Sequence, residues 1–280
     1  MIPDSSTNFL YLADTLPKKY PTFYQEFEKI LKECKIDFAL LPNTKDVWAV
    51  DYMPVQVREN HFIQFVYKPD YLKPKKYAKT ISDVGSICEK IGLTPERSRI
   101  VLDGGNVSRS ANKLIMTSKV FRENSIIEER QLIRELQHCF EAEQLIFVPE
   151  DPYDFTGHID GMVRFVDENT VLINDYRLTN GLAFQLSFRM ALHNAGLAYI
   201  EIPYCPDFSV RDSAKGLYLN YLQMGNFIIV PTFGIDQDEV AIKQLEAVFA
   251  GQTIKTINGN DLAVHGGIIN CISWNIRKPL

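Results

Sequence analysis

Small clusters of polar residues and glycines recur at nearly constant intervals along this 280-residue chain, and each follows a short apolar run. They fall at Asp51, at Asp103-Gly-Gly-Asn, at Gly157-His-Ile-Asp160, at Asn220, and at Gly266-Gly through Cys271. The intervals from 51 to 103, 103 to 158, 160 to 220 and 220 to 271 are 52, 55, 60 and 51 residues. A period of this length points to a circular or solenoid array in which each unit contributes one edge to a shared centre. The units share almost no sequence identity, so the repeat lies in the placement of residue types.

The segments between the clusters alternate between strand and helix patterns. Helical periodicity is expected over Tyr20–Lys35, Ser82–Lys90, Ile126–Glu143, Ala183–Asn194 and Glu239–Ala250. Capping-box spacing stands ahead of two of these, in Ser125 with Glu128 and Asp236 with Glu239. Apolar runs rich in β-branched residues, such as Phe62–Tyr67, Leu114–Met116, Thr170–Ile173 and Phe227–Val230, read as strands. No proline-, glycine- or serine-rich linker divides the chain, so a single α/β catalytic domain over residues 1–280 is expected.

Composition narrows the function classes. A hydrophobic fraction of 46% and a charged fraction of 23% are those of an ordinary globular chain. The net charge of −5 speaks against a nucleic-acid partner. The one basic run, Lys73-Pro-Lys-Lys76, is short and reads as a solvated loop. No stretch approaches the roughly 18 apolar residues of a membrane span, and the N-terminus lacks the pattern of a secretory signal. Five cysteines without a CxxC pair suggest neither a zinc ribbon nor a disulfide framework, so a cytoplasmic, metal-free and cofactor-free protein is expected.

Individually the candidate residues are ambiguous. Cys271 follows two glycines that permit close backbone approach and lies in an apolar run expected to be a strand, yet a lone cysteine is more often simply buried. His158 and Asp160 alternate with apolar neighbours and are expected on one strand face, where they offer a proton carrier and an anion or merely an exposed surface. Asp51 is expected at a strand end among Trp48, Tyr52 and Met53. A carboxylate there either pairs structurally or awaits a cation, for which the Trp48 ring offers a π-face. Asp103 could equally close a tight turn.

Taken together, the strings DVWAVDYMPV, LDGGNV, TGHIDGMVRFV, YLNYLQMGNFIIVPTFG and GGIINCISW resemble, in order and spacing, those of the agmatine deiminase and bacterial-type peptidylarginine deiminase family. The resemblance runs from about residue 40 to the C-terminus. It implies a pentein, a pseudo-fivefold α/β propeller of ββαβ units around a central active site. It also implies roles: Cys271 as nucleophile, His158 as general acid/base, and Asp51 and Asp160 as the carboxylates that grip a guanidinium. Trp48 and Asn220 are expected to line the substrate site, with Asp103 supporting it from one remove. The implied reaction is hydrolysis of the guanidino group of agmatine or a close analogue to a ureido product and ammonia, through an amidino-cysteine. Peptidyl-arginine or free arginine as substrate, amidino transfer to an amine, and silent guanidino binding are the alternatives. The implied partner is a small guanidino compound, and a homo-oligomer is permitted. Where family members commonly carry arginine before the first aspartate, glycine two residues after it and histidine before the cysteine, this chain has Val50, Met53 and Asn270. These departures are expected to bear on the pocket for the substrate's tail.

Overall fold

The computed structural model describes residues 1–73, 77, 79–179, 181–210 and 212–279. Of the basic run expected to be a loop, only Lys73 falls within them. The strands are β1 (Phe9–Ala13), β2 (Asp37–Leu41), β3 (Val55–Arg58), β4 (His61–Val66), β5 (Glu96–Val101), β6 (Ser108–Arg109), β7 (Lys113–Thr117), β8 (Gln144–Val148), β9 (Val163–Phe165), β10 (Thr170–Asn174), β11 (Ala198–Ile202), β12 (Leu222–Met224), β13 (Phe227–Thr232), β14 (Thr253–Asn258) and β15 (Trp274–Ile276). Among the described residues they form five three-stranded sheets, ordered β15-β1-β2, β3-β4-β5, β6-β7-β8, β9-β10-β11 and β12-β13-β14.

Every sheet repeats one plan. The middle strand pairs antiparallel with one neighbour and parallel with the other. A parallel pair needs a crossover, and helices supply it. These are α1 (Leu16–Lys19) and α2 (Pro21–Glu33) within the β15-β1-β2 unit, while α3 (Ala49–Tyr52) leads into the next unit. The crossovers continue with α4 (Val84–Lys90), with α5 (Lys119–Glu123) and α6 (Glu129–Phe140), with α7 (Leu182–Asn194) and with α8 (Gln237–Val248). The short helices α9 (Asn260–Ala263) and α10 (Ile269–Ile272) precede β15. The pentein expected from the resemblance is therefore the observed fold. Its ring is closed by the two ends of the chain, through Phe9 opposite Ile276 and Tyr11 opposite Trp274.

Burial explains the pattern along the sequence. Middle strands β1, β7, β10 and β13 lie between a helix and the ring interior, so they are apolar on both faces and almost wholly buried. Helix α2 packs Phe23, Phe27 and Leu31 inward at four-residue spacing. Each such side chain contributes about 1.5–3 kcal/mol on burial. Among the described residues no helix is long and apolar enough to cross a membrane.

Two helix starts differ from expectation. Helix α6 begins at Glu129, because Glu128 itself caps it by accepting from the Gln131 N–H at 2.8 Å, and Ser125 lies outside. Helix α8 begins at Gln237, and Asp238 in its first turn fastens the preceding loop by accepting from the N–H groups of Phe233, Gly234 and Ile235. In neither case does the boxed pair cap the helix: Glu128 takes the N-cap position itself, and Asp236 makes no side-chain cap hydrogen bond.

Candidate active site

The five polar clusters occupy the five connections between units, from the last strand of one to the first strand of the next. None sits on a regular strand. Asp51 is in the one-turn helix α3, Cys271 is in α10, and His158 and Asp160 lie in the turn before β9. The expected strand settings are thus corrected for all four. The alternation mimicked a strand, but the backbone groups here are taken by neighbouring connections: Asp160 N–H donates to Gly105 O at 3.0 Å and Gly105 N–H to Asp51 Oδ1 at 3.1 Å. His158 N–H donates to Asp154 Oδ2 at 3.0 Å, and Asn220 Oδ1 accepts from the N–H groups of Asn270 and Cys271 at 3.1 and 3.4 Å.

These links bring Trp48, Asp51, His158, Asp160, Asn220 and Cys271 to the wall of one cavity of about 690 Å³. Cys271 Sγ lies 3.2 Å from Asn220 Nδ2 and 3.6 Å from Asp160 Oδ2. Asp160 Oδ2 also accepts from Asn220 Nδ2 at 3.2 Å and from Asn270 Nδ2 at 2.8 Å. His158 stands between two carboxylates, with Nδ1 3.5 Å from Asp51 Oδ1 and Nε2 2.9 Å from Asp103 Oδ2. The close approach foreseen for the glycines is met at Gly267, where a Cβ would come within 2.6 Å of the Trp48 ring and 3.0 Å of Cys271 Cβ.

Asp103 does not line the cavity. It is 1% exposed, lies behind His158, and pairs with Lys119 Nζ at 2.5 Å, so it supports the imidazole instead of touching a substrate. The three departures also face elsewhere. Val50, Met53 and Asn270 border a separate void of about 30 Å³ behind Asp160, together with Arg164. Asn270 is held there between Asp160 and Arg164 Nη1, the latter donating to Asn270 Oδ1 at 2.9 Å. All three thus line this void and not the cavity, where their effect was expected, and of them Asn270 bonds to Asp160.

Burial dominates the electrostatics. It raises the Asp51 pKa to about 7, beyond what the neighbouring His158 recovers, and it raises Asp160 as well. The Cys271 thiol is pushed well above its ordinary value by burial and by Asp160 and Asp51. For His158 burial works downward, but Asp51 and Asp103 outweigh it and lift the pKa to about 9. Asp103 is the exception among the acids: burial is overcome by His158 and Lys119, and its pKa falls. These shifts favour an imidazolium at His158 and a protonated thiol at Cys271 at neutral pH.

Sequence reasoning passed over Lys119 and Tyr71, and gave Gly105 only a place in a turn. A charge inside the apolar run Leu-Ile-Met-Thr-Ser-Lys-Val-Phe was the available signal for Lys119. Tyr71 packs edge-on to His158 with ring centres 6.0 Å apart. A Cβ at Gly105 would stand 2.5 Å from Asp51 Oδ1 and 2.6 Å from His158 Nδ1. Among the described residues no group of three or more His, Cys, Asp or Glu side chains is placed to hold a metal ion.

Residues 18–276 match the family model of the Porphyromonas-type peptidyl-arginine deiminases. The chain belongs to this family. A Mycoplasma mycoides relative named “Putative agmatine deiminase” is 25% identical over 219 residues, covering 67% of this chain and 60% of its own length. The chain thus spans about 60% of the length of the curated relatives it matches. In three dimensions the C. jejuni agmatine deiminase superposes with a TM-score of 0.82 at 21% identity, covering 100% of this chain and 96% of the other. A cysteine-to-serine variant of that C. jejuni enzyme with substrate bound gives a TM-score of 0.83 at 19% identity, with the same coverage. For a member of the Porphyromonas-type peptidyl-arginine deiminase family, these likenesses at low identity establish the pentein fold.

Proposed function

We propose that the chain is a deiminase of agmatine or a close arginine-like amine. The observation that carries this is the convergence of Cys271, Asp160, Asn220, His158 and Asp51 on one cavity wall. A guanidinium is planar and delocalised, so Asp51 and Asp160 can each accept its N–H donors and hold the central carbon in front of Cys271 Sγ. The bound cation's charge helps Cys271 release its thiol proton to solvent, the thiolate attacks that carbon, and His158 supplies the proton with which the C–N bond breaks and ammonia leaves. Water then adds to the amidino-cysteine as His158 takes its proton back, the C–S bond breaks, and the ureido product departs.

The lining of the cavity favours an amine tail. Asp46 and Asp154 line it alongside Trp48, Tyr67, Tyr71 and Phe155, and among the described residues no lysine or arginine does. An ammonium gains from such a lining through charge and ring faces, whereas a carboxylate meets like charge at Asp46 and Asp154. The test is incubation of the purified protein with agmatine, arginine and an arginyl peptide, measuring ammonia and ureido product. Agmatine should lead, and Cys271→Ser should abolish turnover. Reaction only in the presence of an added amine acceptor would replace hydrolysis by transfer, and full activity of Cys271→Ser would remove the mechanism.

A further inference from the structure

Lys119 is 0% exposed, and lysine is almost never fully buried unless paired. It opens α5 and reaches behind the imidazole, where Nζ lies 2.5 Å from Asp103 Oδ2, 3.3 Å from His158 Nε2 and 3.7 Å from Glu123 Oε1, over the face of Tyr71 at 4.8 Å. One carboxylate oxygen, Asp103 Oδ2, therefore faces both the ammonium and the ring nitrogen.

An ammonium has no lone pair, and Asp103 is held ionised by its two cationic neighbours, so two arrangements satisfy these distances. Either Nε2 is bare and accepts from Lys119, or Nε2 carries a proton and both nitrogens donate to Asp103. The first would set a ring lone pair against an anionic oxygen 2.9 Å away. We propose that Lys119 is a positioning residue for His158: it holds Asp103 as an anion against Nε2, so that this nitrogen keeps its proton and only Nδ1 exchanges. Its catalytic meaning rests on the deiminase reading, but its geometry does not.

The second effect of Lys119 is repulsive. The groups that face His158 are Asp51 from α3, Asp103 ahead of β6, Lys119 with Glu123 behind it from α5, the Tyr71 ring after β4, and Asp154 and Asp160 from its own turn, with the Cys271 thiol on the shared cavity wall. All the charged groups except Lys119 are acids, which favour the imidazolium. Among these charges Lys119 alone opposes it, adding to the effect of burial, and makes the Nδ1 proton easier to give up. One imidazole must donate a proton in the first half-reaction and accept one in the second, and without this opposition it would stay charged. Loss of Lys119 should then slow breakdown of the amidino-cysteine more than its formation.

The experiment uses the full chain labelled with ¹⁵N in histidine, with His158→Gln to identify the resonance. Above its titration midpoint the wild-type ring should carry its proton on Nε2, and a bare Nε2 would overturn the proposal without any Lys119 variant. In Lys119→Met, or Lys119→Gln if the first does not fold, the His158 midpoint should rise by roughly one to three pH units. Lys119→Arg should restore it to within about half a unit. An unchanged midpoint in either folded neutral variant would overturn the proposal. These measurements need no substrate, so failure of agmatine to turn over would sink the functional reading and leave this one standing. With agmatine, acid-quenched Lys119→Met should show more Cys271 adduct by mass spectrometry, with kcat and KM falling together. A lower kcat without adduct accumulation would reduce Lys119 to a structural role.

Discussion

Binding of a guanidinium should expel protons from this cavity. Burial raises the Asp51 pKa to about 7 and lifts that of Asp160 as well. A cation gains only from their ionised forms, so below pH 7 Asp51 must lose a proton before it can contribute. The sign follows: affinity is full above the empty-site pKa and weakens as pH falls through it. For Asp51 alone the factor is one plus the protonated-to-ionised ratio, which makes agmatine bind about a hundredfold more weakly at pH 5 than at pH 8, or about 3 kcal/mol. Any contribution from Asp160 steepens the slope. His158, raised to about 9, stays charged across this range and adds a constant repulsion. Isothermal titration of Cys271→Ala with agmatine isolates the carboxylates from thiol ionisation and from turnover. At pH 7, titrations in phosphate and in Tris should differ in heat by the equivalent of about half a proton or more. An affinity that changes by less than about threefold between pH 5 and 8, with equal heats in the two buffers, would refute the argument. The carboxylates would then be ionised already, and burial would not govern the site.

Three further outcomes follow from the geometry. Asn220→Ala removes the donor at 3.2 Å to both Cys271 Sγ and Asp160, together with the acceptor that fastens α10. Losing such bonds is worth about 1–3 kcal/mol, so kcat/KM should fall about ten- to a hundredfold in steady-state assays. In Gly105→Ala the new Cβ would press on Asp51 and His158, so kcat/KM should drop about a hundredfold while thermal melting shifts by only a few degrees. Glu123, whose side chain is 5% exposed, has its pKa raised to about 7 mainly by burial. An acid raised on folding costs nothing below its unfolded pKa and destabilises progressively as pH rises toward the folded one. Glu123→Gln should therefore raise stability in urea titrations at pH 8 by up to about 3 kcal/mol, and leave it little changed near pH 4.

Much of the site could be read from the chain because residue type and interval are local properties. Cys271, His158, Asp160, Asn220 and Asp51 stand out at a fifty-residue beat, and the beat marks the connections between units. The secondary structure around them could not be read so well. The alternation at His158-Ile-Asp160 is that of a strand, yet the backbone N–H groups there bond to Asp154 and to Gly105, the latter on the preceding connection, and a residue pattern carries no record of a distant acceptor. Asn270 illustrates the same limit. It stands out only as a departure beside the cysteine, and its partners Asp160 and Arg164 lie more than a hundred residues away in the chain.

The sequence alone therefore determined the unit length, the strand–helix alternation and the chemical groups, since each depends on neighbours within a few residues. The tertiary structure alone decided which of those groups meet. It joined β15 to β1 to close the ring, placed Asp103 behind His158 and away from the cavity, turned Val50, Met53 and Asn270 to the underside of Asp160, and buried Lys119 against the imidazole. The physical reason is that pairing energies among buried charges depend on separations of a few ångströms between residues tens to hundreds of positions apart. Only the folded ring sets those separations.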